Sequence, residues 1–127
     1  MKKSDLLKET IEHIDIKKID STQLIDAMRK MSFTSRDVAS ATDIYMDMLK
    51  DKECTNILTI AGSTSAAGCM QVYVDLIKNK MIDAVVSTGA SIIDMDFFEA
   101  IGFKHYKGST EIPDTQLRDL YIDRIYD

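Results

Sequence analysis

Two short loops of small, hydroxyl-bearing residues carry the side chains that could do chemistry. The first is Gly62-Ser63-Thr64-Ser65-Ala66-Ala67-Gly68, and the second is Ser87-Thr88-Gly89-Ala90-Ser91. Glycine and alanine let a phosphate approach the backbone closely, and hydroxyls and free amides at a helix start can donate hydrogen bonds to it. Neither loop matches GxGxxG or GxxxxGK[ST], so a tight turn packed against its neighbours stays open as the alternative. Together the loops favour a nucleotide site.

Three carboxylates, Asp94, Asp96 and Glu99, follow the second loop. Such a cluster could hold a ribose or a cationic amine, but a solvated acidic first turn that suits the helix dipole explains it equally well. His105 is interpreted as a packed or surface histidine. No Ser/His/Asp order and no lysine in an evidently buried pocket can be identified, so no catalytic residue is predicted.

The two cysteines do not predict a metal site. Cys54 and Cys69 form no CxxC pair, and the chain has only two histidines. A zinc site needs about four ligands that converge on the metal. Cys69 lies early in a helix, where a thiolate could be stabilised. A small buried apolar side chain is the favoured interpretation of Cys69.

The loops must be positioned by an alternation of strands and helices. Apolar strands are predicted at 55–61 and 82–88 and a short strand at 103–106, with helices at 65–80 and 92–101 between them. Segment 1–20 is predicted to be an extended arm, segment 21–51 contains two helices, and segment 52–127 is a βαβαβ portion with an apolar tail. This order predicts an α/β fold, with a Rossmann-like parallel sheet, flanking helices and right-handed crossovers. Loops at the carboxyl ends of such strands lie where open α/β sheets bind nucleotides.

Composition narrows the function classes. The 127 residues are at most one domain, 45% hydrophobic and 29% charged, with a net charge of −5. The acidic balance and scattered lysines argue against a nucleic-acid partner. No apolar run approaches the roughly 20 residues that span a bilayer, and no signal-peptide apolar region follows the start. A cytoplasmic protein is therefore expected.

The residues resemble a known family. Segments 58–68 and 79–90 are similar to the deoxyhypusine synthase family, and specifically to its bacterial and archaeal deoxyhypusine synthase-like branch. The segments 94–100, 102–106 and 11–16 also resemble that branch, so the resemblance covers nearly the whole chain. It implies a Rossmann-like homotetrameric enzyme that uses NAD to oxidise spermidine. The butylamine fragment then passes, through an imine on a lysine, to a protein lysine or a small diamine.

The resemblance assigns roles to particular positions. Ser63, Thr64 and Ser65 match the first NAD-contacting loop, and Ser87, Thr88 and Gly89 match the second. The family has an asparagine where this chain has Ser63, and paired glutamates where it has Ile93 and Asp94. Asp94 is thus the one carboxylate left for polyamine binding, and the substrate is open.

The family's catalytic lysine has no counterpart here. Four lysines of the second half, Lys78, Lys80, Lys104 and Lys107, sit in no matching motif. The chain is therefore expected to be an incomplete, amino-terminal portion that is inactive alone. One alternative is a non-catalytic regulatory or split subunit that assembles with a longer homologue. Another is a small nucleotide-binding module with unrelated chemistry.

Overall fold

The computed structural model describes residues 1–125, and the last two positions of the predicted apolar tail lie outside them. The α-helices are α1 (Lys3–Leu6), α2 (Thr22–Met28), α3 (Thr34–Lys50), α4 (Met70–Lys78), α5 (Gly89–Ser91), α6 (Phe98–Ala100) and α7 (Asp114–Asp119). The strands are β1 (Ile57–Ile60) and β2 (Ala84–Ser87). A 3₁₀ turn covers Ile16–Lys18, and wider π-type turns cover Ser65–Cys69 and Ile92–Phe97.

The two strands form a parallel pair. The Asn56 carbonyl accepts from the Ala84 amide at 3.3 Å, and four residues further along each strand the Ile60 carbonyl accepts from the Thr88 amide at 3.2 Å. Equal steps in the same direction are the pattern of a parallel ladder. The predicted α/β class, with a parallel sheet and flanking helices, is confirmed, and the sheet is two-stranded in the described part of the chain.

The third predicted strand is the main difference from expectation. Segment 103–106 joins no parallel sheet, because its backbone pairs with the arm: Thr10 and Tyr106 form an isolated antiparallel bridge. The Ile11 amide donates to the His105 carbonyl at 2.8 Å, and the Lys107 amide donates to the Glu9 carbonyl at 2.9 Å. The arm is extended there, as predicted, but it also contains α1 and the 3₁₀ turn.

The chain forms two compact units, described separately. The first, called the loop unit, comprises residues 1–14, 59–71 and 86 onward. Its buried apolar side chains are those of Ile60, Ala66, Met95 and Leu117. Both predicted loops lie in the loop unit, so this unit carries the candidate site.

The second unit, called the helical unit, comprises residues 15–58 and 72–85. In it α2 packs on α3, and the Tyr45 hydroxyl donates to the Met81 carbonyl at 2.9 Å. The almost fully buried carboxylate of Asp75 pairs with Lys17 at 2.9 Å. The hydrogen bond that Lys17 donates to this carboxylate is the main cause that raises the pKa of Lys17, and the negative charge of Asp75 is the second.

Of all the described helices, none has both the length and the apolar character needed to cross a membrane.

Candidate functional site

The first loop leaves β1 through Gly62 and enters α4 through Gly68. Both glycines have positive φ values, +79° at Gly62 and +109° at Gly68, a conformation that glycine adopts without the steric cost of a Cβ. The Ala67 amide donates to the Ser63 carbonyl at 3.0 Å, and the Cys69 amide donates to the Thr64 carbonyl at 3.0 Å. The predicted helix at 65–80 therefore begins as a wide turn and becomes regular only from Met70. Glycine at both ends lets the loop turn sharply.

Gly68 also has a packing role that its spacing did not indicate. The Gly68 carbonyl accepts a 2.9 Å hydrogen bond from the Ile14 amide of the arm. A Cβ on Gly68 would come within 3.0 Å of the Glu12 carbonyl oxygen, which is backbone and cannot rotate away. The arm thus lies directly against the end of the first loop.

The second loop follows β2 and starts a helical segment that extends from Gly89 to Ala100. Thr88 is extended (φ −69°, ψ 152°) and precedes the first helical residue, Gly89. Gly102 follows with φ +104°, and its amide donates to the Glu99 carbonyl at 3.0 Å. A positive φ after the last helical turn is the usual conformation of a C′ glycine, so Gly102 ends this helical segment.

The structure brings the two loops together. Ser91 donates from its hydroxyl to the Gly62 carbonyl at 2.8 Å, and its oxygen lies 3.3 Å from the Thr88 hydroxyl. Thr64, Thr88 and Gly89 are exposed, Ser63 and Ser87 are half-buried, and Ser65 is buried. Exposed hydroxyls from two adjacent strand ends therefore border one surface.

Both loops have open space beside a glycine. A Cβ built on Gly62 or on Gly89 would meet no atom within 4 Å, so a ligand can approach the backbone at both turns. The buried Ser65 hydroxyl is without a hydrogen-bond partner among the described residues, although a buried polar group is normally paired. Open glycine turns and a spare donor fit the predicted cofactor.

The larger cleft in the described part of the chain lies elsewhere. It measures about 490 Å³ and is lined by residues between 114 and 124. A smaller cleft of about 330 Å³ is bordered by the arm, Ala67 and Lys107. We give the loops more weight than the larger cleft, because only the loops combine open backbone with hydroxyl donors at strand ends.

The acidic residues after the second loop occupy different environments. Asp94 is exposed in the wide turn Ile92–Phe97, and Asp96 is half-buried. The Glu99 side chain faces two histidines. Its carboxylate accepts a hydrogen bond from His13 Nε2 at 2.6 Å and one from His105 Nδ1 at 3.0 Å. The three side chains are only 12–17% exposed. The alternative of a wholly solvated acidic turn is therefore wrong for Glu99.

This His13–Glu99–His105 cluster was missed by sequence reasoning. Glu99 is 86 positions from His13, and no periodic signal connects residues at that distance. The cluster ties the arm to the helix that follows the second loop. Within residues 1–125, neither this cluster nor any other group of three or more His, Cys, Asp or Glu side chains is arranged to hold a metal ion.

Comparison with known proteins identifies the family. The deoxyhypusine synthase family model matches residues 23–127. A deoxyhypusine synthase-like protein of Coxiella burnetii is 64% identical over 98% of this chain and 36% of its own length. That of Caulobacter vibrioides is 61% identical over 98% of this chain and 34% of its own.

An archaeal protein from Methanosarcina mazei, named "Probable deoxyhypusine synthase 2", is 39% identical over 90% of this chain and 33% of its own length. The chain thus spans about a third of the length of these curated relatives. The match covers both loops and the helices around them, and the chain belongs to the deoxyhypusine synthase family.

Proposed function

We propose that this chain is the cofactor-loop portion of a deoxyhypusine synthase-like, NAD-dependent aminobutyl transferase. The reaction would oxidise spermidine and pass its butylamine fragment to a protein lysine or a small amine. NAD, when bound, would supply the hydride acceptor for that oxidation. The observation that carries the proposal is the hydrogen-bonded pair of loops at the carboxyl ends of two parallel strands, in a chain of this family.

The residues proposed to hold NAD are the hydroxyl and glycine positions of the two loops. Ser63, Thr64 and Ser65 would donate from the first loop, and Ser87 and Thr88 from the second. Gly89 would let the cofactor approach the start of the helix. Asp94, exposed just after the second loop, is proposed to attract the cationic polyamine.

The lysine that carries the butylamine fragment is proposed to come from outside this chain. Every lysine here is exposed, whereas a lysine nucleophile at neutral pH is activated by desolvation or by a neighbouring cation. The ion pair with Glu9 instead raises the pKa of Lys107. A chain whose lysines are all exposed should complete no aminobutyl transfer alone.

NADH titration tests the cofactor proposal. Bound nicotinamide changes its fluorescence, so a dissociation constant can be measured on the chain itself. We expect Gly89→Val to weaken binding at least about tenfold, which corresponds to about 1.4 kcal/mol, because the side chain would occupy the space the ligand needs. The matched control is Gly108→Val, also with no atom within 4 Å of its Cβ but outside both loops. Equal NADH affinity in the two variants would contradict the placement of the cofactor.

A second candidate is a regulatory or split subunit that assembles with a longer homologue. The chain matches 36% of the length of its Coxiella burnetii relative. Co-expression with a second polypeptide of the family distinguishes a split enzyme from a regulatory subunit. Transferase activity restored by a polypeptide that supplies the missing two thirds supports the split-enzyme form, and altered activity of an already complete homologue supports regulation. Full activity of the purified chain alone would refute both.

A further inference from the structure

Ser91 is a fully buried residue at the end of the second loop, with a relative exposure of 0%. Its hydroxyl donates to the Gly62 carbonyl and lies next to the Thr88 hydroxyl. Its amide donates to the Thr88 carbonyl at 3.2 Å. Ser91 therefore contacts one residue of each turn proposed to face the cofactor, and its hydroxyl is already used in the hydrogen bond to the Gly62 carbonyl.

The Gly62 turn needs such support. A Cβ at Gly62 would meet nothing within 4 Å, so no side chain packs on that side of the turn. A glycine with positive φ and open surroundings has wide conformational freedom, which must be lost when a ligand binds. A buried hydrogen bond to its carbonyl removes part of that freedom in advance.

We propose that Ser91 is a positioning residue that holds the first loop in register with the second, so that both sets of donors reach one ligand. The inference rests on the proposed NAD site for its functional consequence. Its structural part, that the Ser91 hydroxyl fixes the first loop, stands independently. Serine suits the position because its small side chain supplies a hydrogen-bond donor at a site that is fully buried.

The test compares Ser91→Ala with Ser40→Ala. The Ser40 hydroxyl also donates to a backbone carbonyl, that of Arg36 at 3.0 Å, but it lies in α3, outside both loops. Hydrogen–deuterium exchange is followed over peptides covering residues 61–69, and NADH affinity is measured by fluorescence. We expect Ser91→Ala to speed exchange in 61–69 and to weaken NADH binding about three- to tenfold, the range of one lost hydrogen bond. Ser40→Ala should change neither.

A second variant separates the hydrogen bond from simple packing. Ser91→Cys keeps a side chain of similar shape, but its thiol is only a weak donor. If the hydrogen bond matters, Ser91→Cys should weaken NADH binding and speed exchange in 61–69 as Ser91→Ala does. A Ser91→Cys variant that behaves like the wild type, or exchange that speeds up equally throughout the chain, would overturn the inference, since either result indicates packing alone.

The two proposals can fail separately. If the wild-type chain binds NADH and Ser91→Ala binds equally well with unchanged exchange, the positioning role is wrong and the cofactor site stands. If the wild-type chain binds no NADH while Ser91→Ala still speeds exchange in 61–69, the loop-holding role stands and the cofactor proposal fails.

Discussion

Replacing Gly68 by alanine separates two reasons for a glycine at the end of the first loop. The φ of +109° is a conformation that costs a side-chain-bearing residue about 1–3 kcal/mol. The new Cβ would also lie 3.0 Å from the Glu12 carbonyl oxygen and 3.8 Å from Ile11 Cγ2. The arm must then shift, which weakens the Ile14–Gly68 hydrogen bond, worth about 0.5–1.5 kcal/mol. We expect a total destabilisation of about 1.5–4.5 kcal/mol, as the sum of these two effects.

Two other glycines of the loop unit serve as matched controls. Gly62 has φ +79° with open space around its Cβ, so Gly62→Ala should cost only the backbone component, about 1–3 kcal/mol. Gly108 has open space and no positive φ, so Gly108→Ala should be neutral or stabilise by up to about 1 kcal/mol. Urea unfolding followed by circular dichroism gives the three free energies of unfolding. Equal values for the Gly68 and Gly62 variants would refute the packing of the arm, and equal values for Gly68 and Gly108 would refute the backbone argument as well.

Two further substitutions test contacts in the two units. Glu99→Ala should lower the free energy of unfolding by at least about 1.5 kcal/mol, since it leaves both His13 and His105 without their shared carboxylate acceptor. The free energy is measured by urea unfolding. A cost below about 0.5 kcal/mol would mean that the cluster is no more than a surface contact. In the helical unit, burial raises the pKa of Tyr45 above its ordinary 10.0, so the folded state holds this proton longer than the unfolded state and stability should fall as pH rises past 10. Tyr45→Phe should make the free energy of unfolding less dependent on pH between about 9 and 11. At pH 7 it should cost about 0.5–1.5 kcal/mol, because the hydrogen bond to the Met81 carbonyl is lost. An unchanged pH dependence of the unfolding free energy in this range would show that Tyr45 is not its source.

The parts of the fold that could be predicted are those with local causes. β1 and β2 were expected from short apolar runs and were found within the predicted ranges. Two helices were expected in segment 21–51, and the second of them, α3, forms at Thr34–Lys50, because its apolar residues recur at three- and four-residue steps. Both loops follow directly from these elements, since a segment that follows a parallel strand lies at the sheet's carboxyl edge.

The parts that could not be predicted depend on contacts between distant residues. Segment 103–106 has the composition of a strand, but its partner is the arm, about 95 positions earlier, and composition does not encode the partner. His13 and His105 were each unremarkable as single residues, and only the fold places them on one carboxylate. Ser91 was noted as the last small residue of a loop, and its complete burial could not be inferred from its neighbours.

The first loop is held at both of its glycine ends by groups far away in sequence. The Gly62 carbonyl accepts from Ser91, 29 positions later, and the Gly68 carbonyl accepts from the Ile14 amide of the arm. The glycines permit the sharp turns, but they also give the backbone conformational freedom. An unrestrained loop would lose that conformational entropy when a ligand binds, which weakens binding. The arm and Ser91 remove that freedom before a ligand arrives. This explains why the segment between the glycines can consist of residues too small to pack the loop themselves.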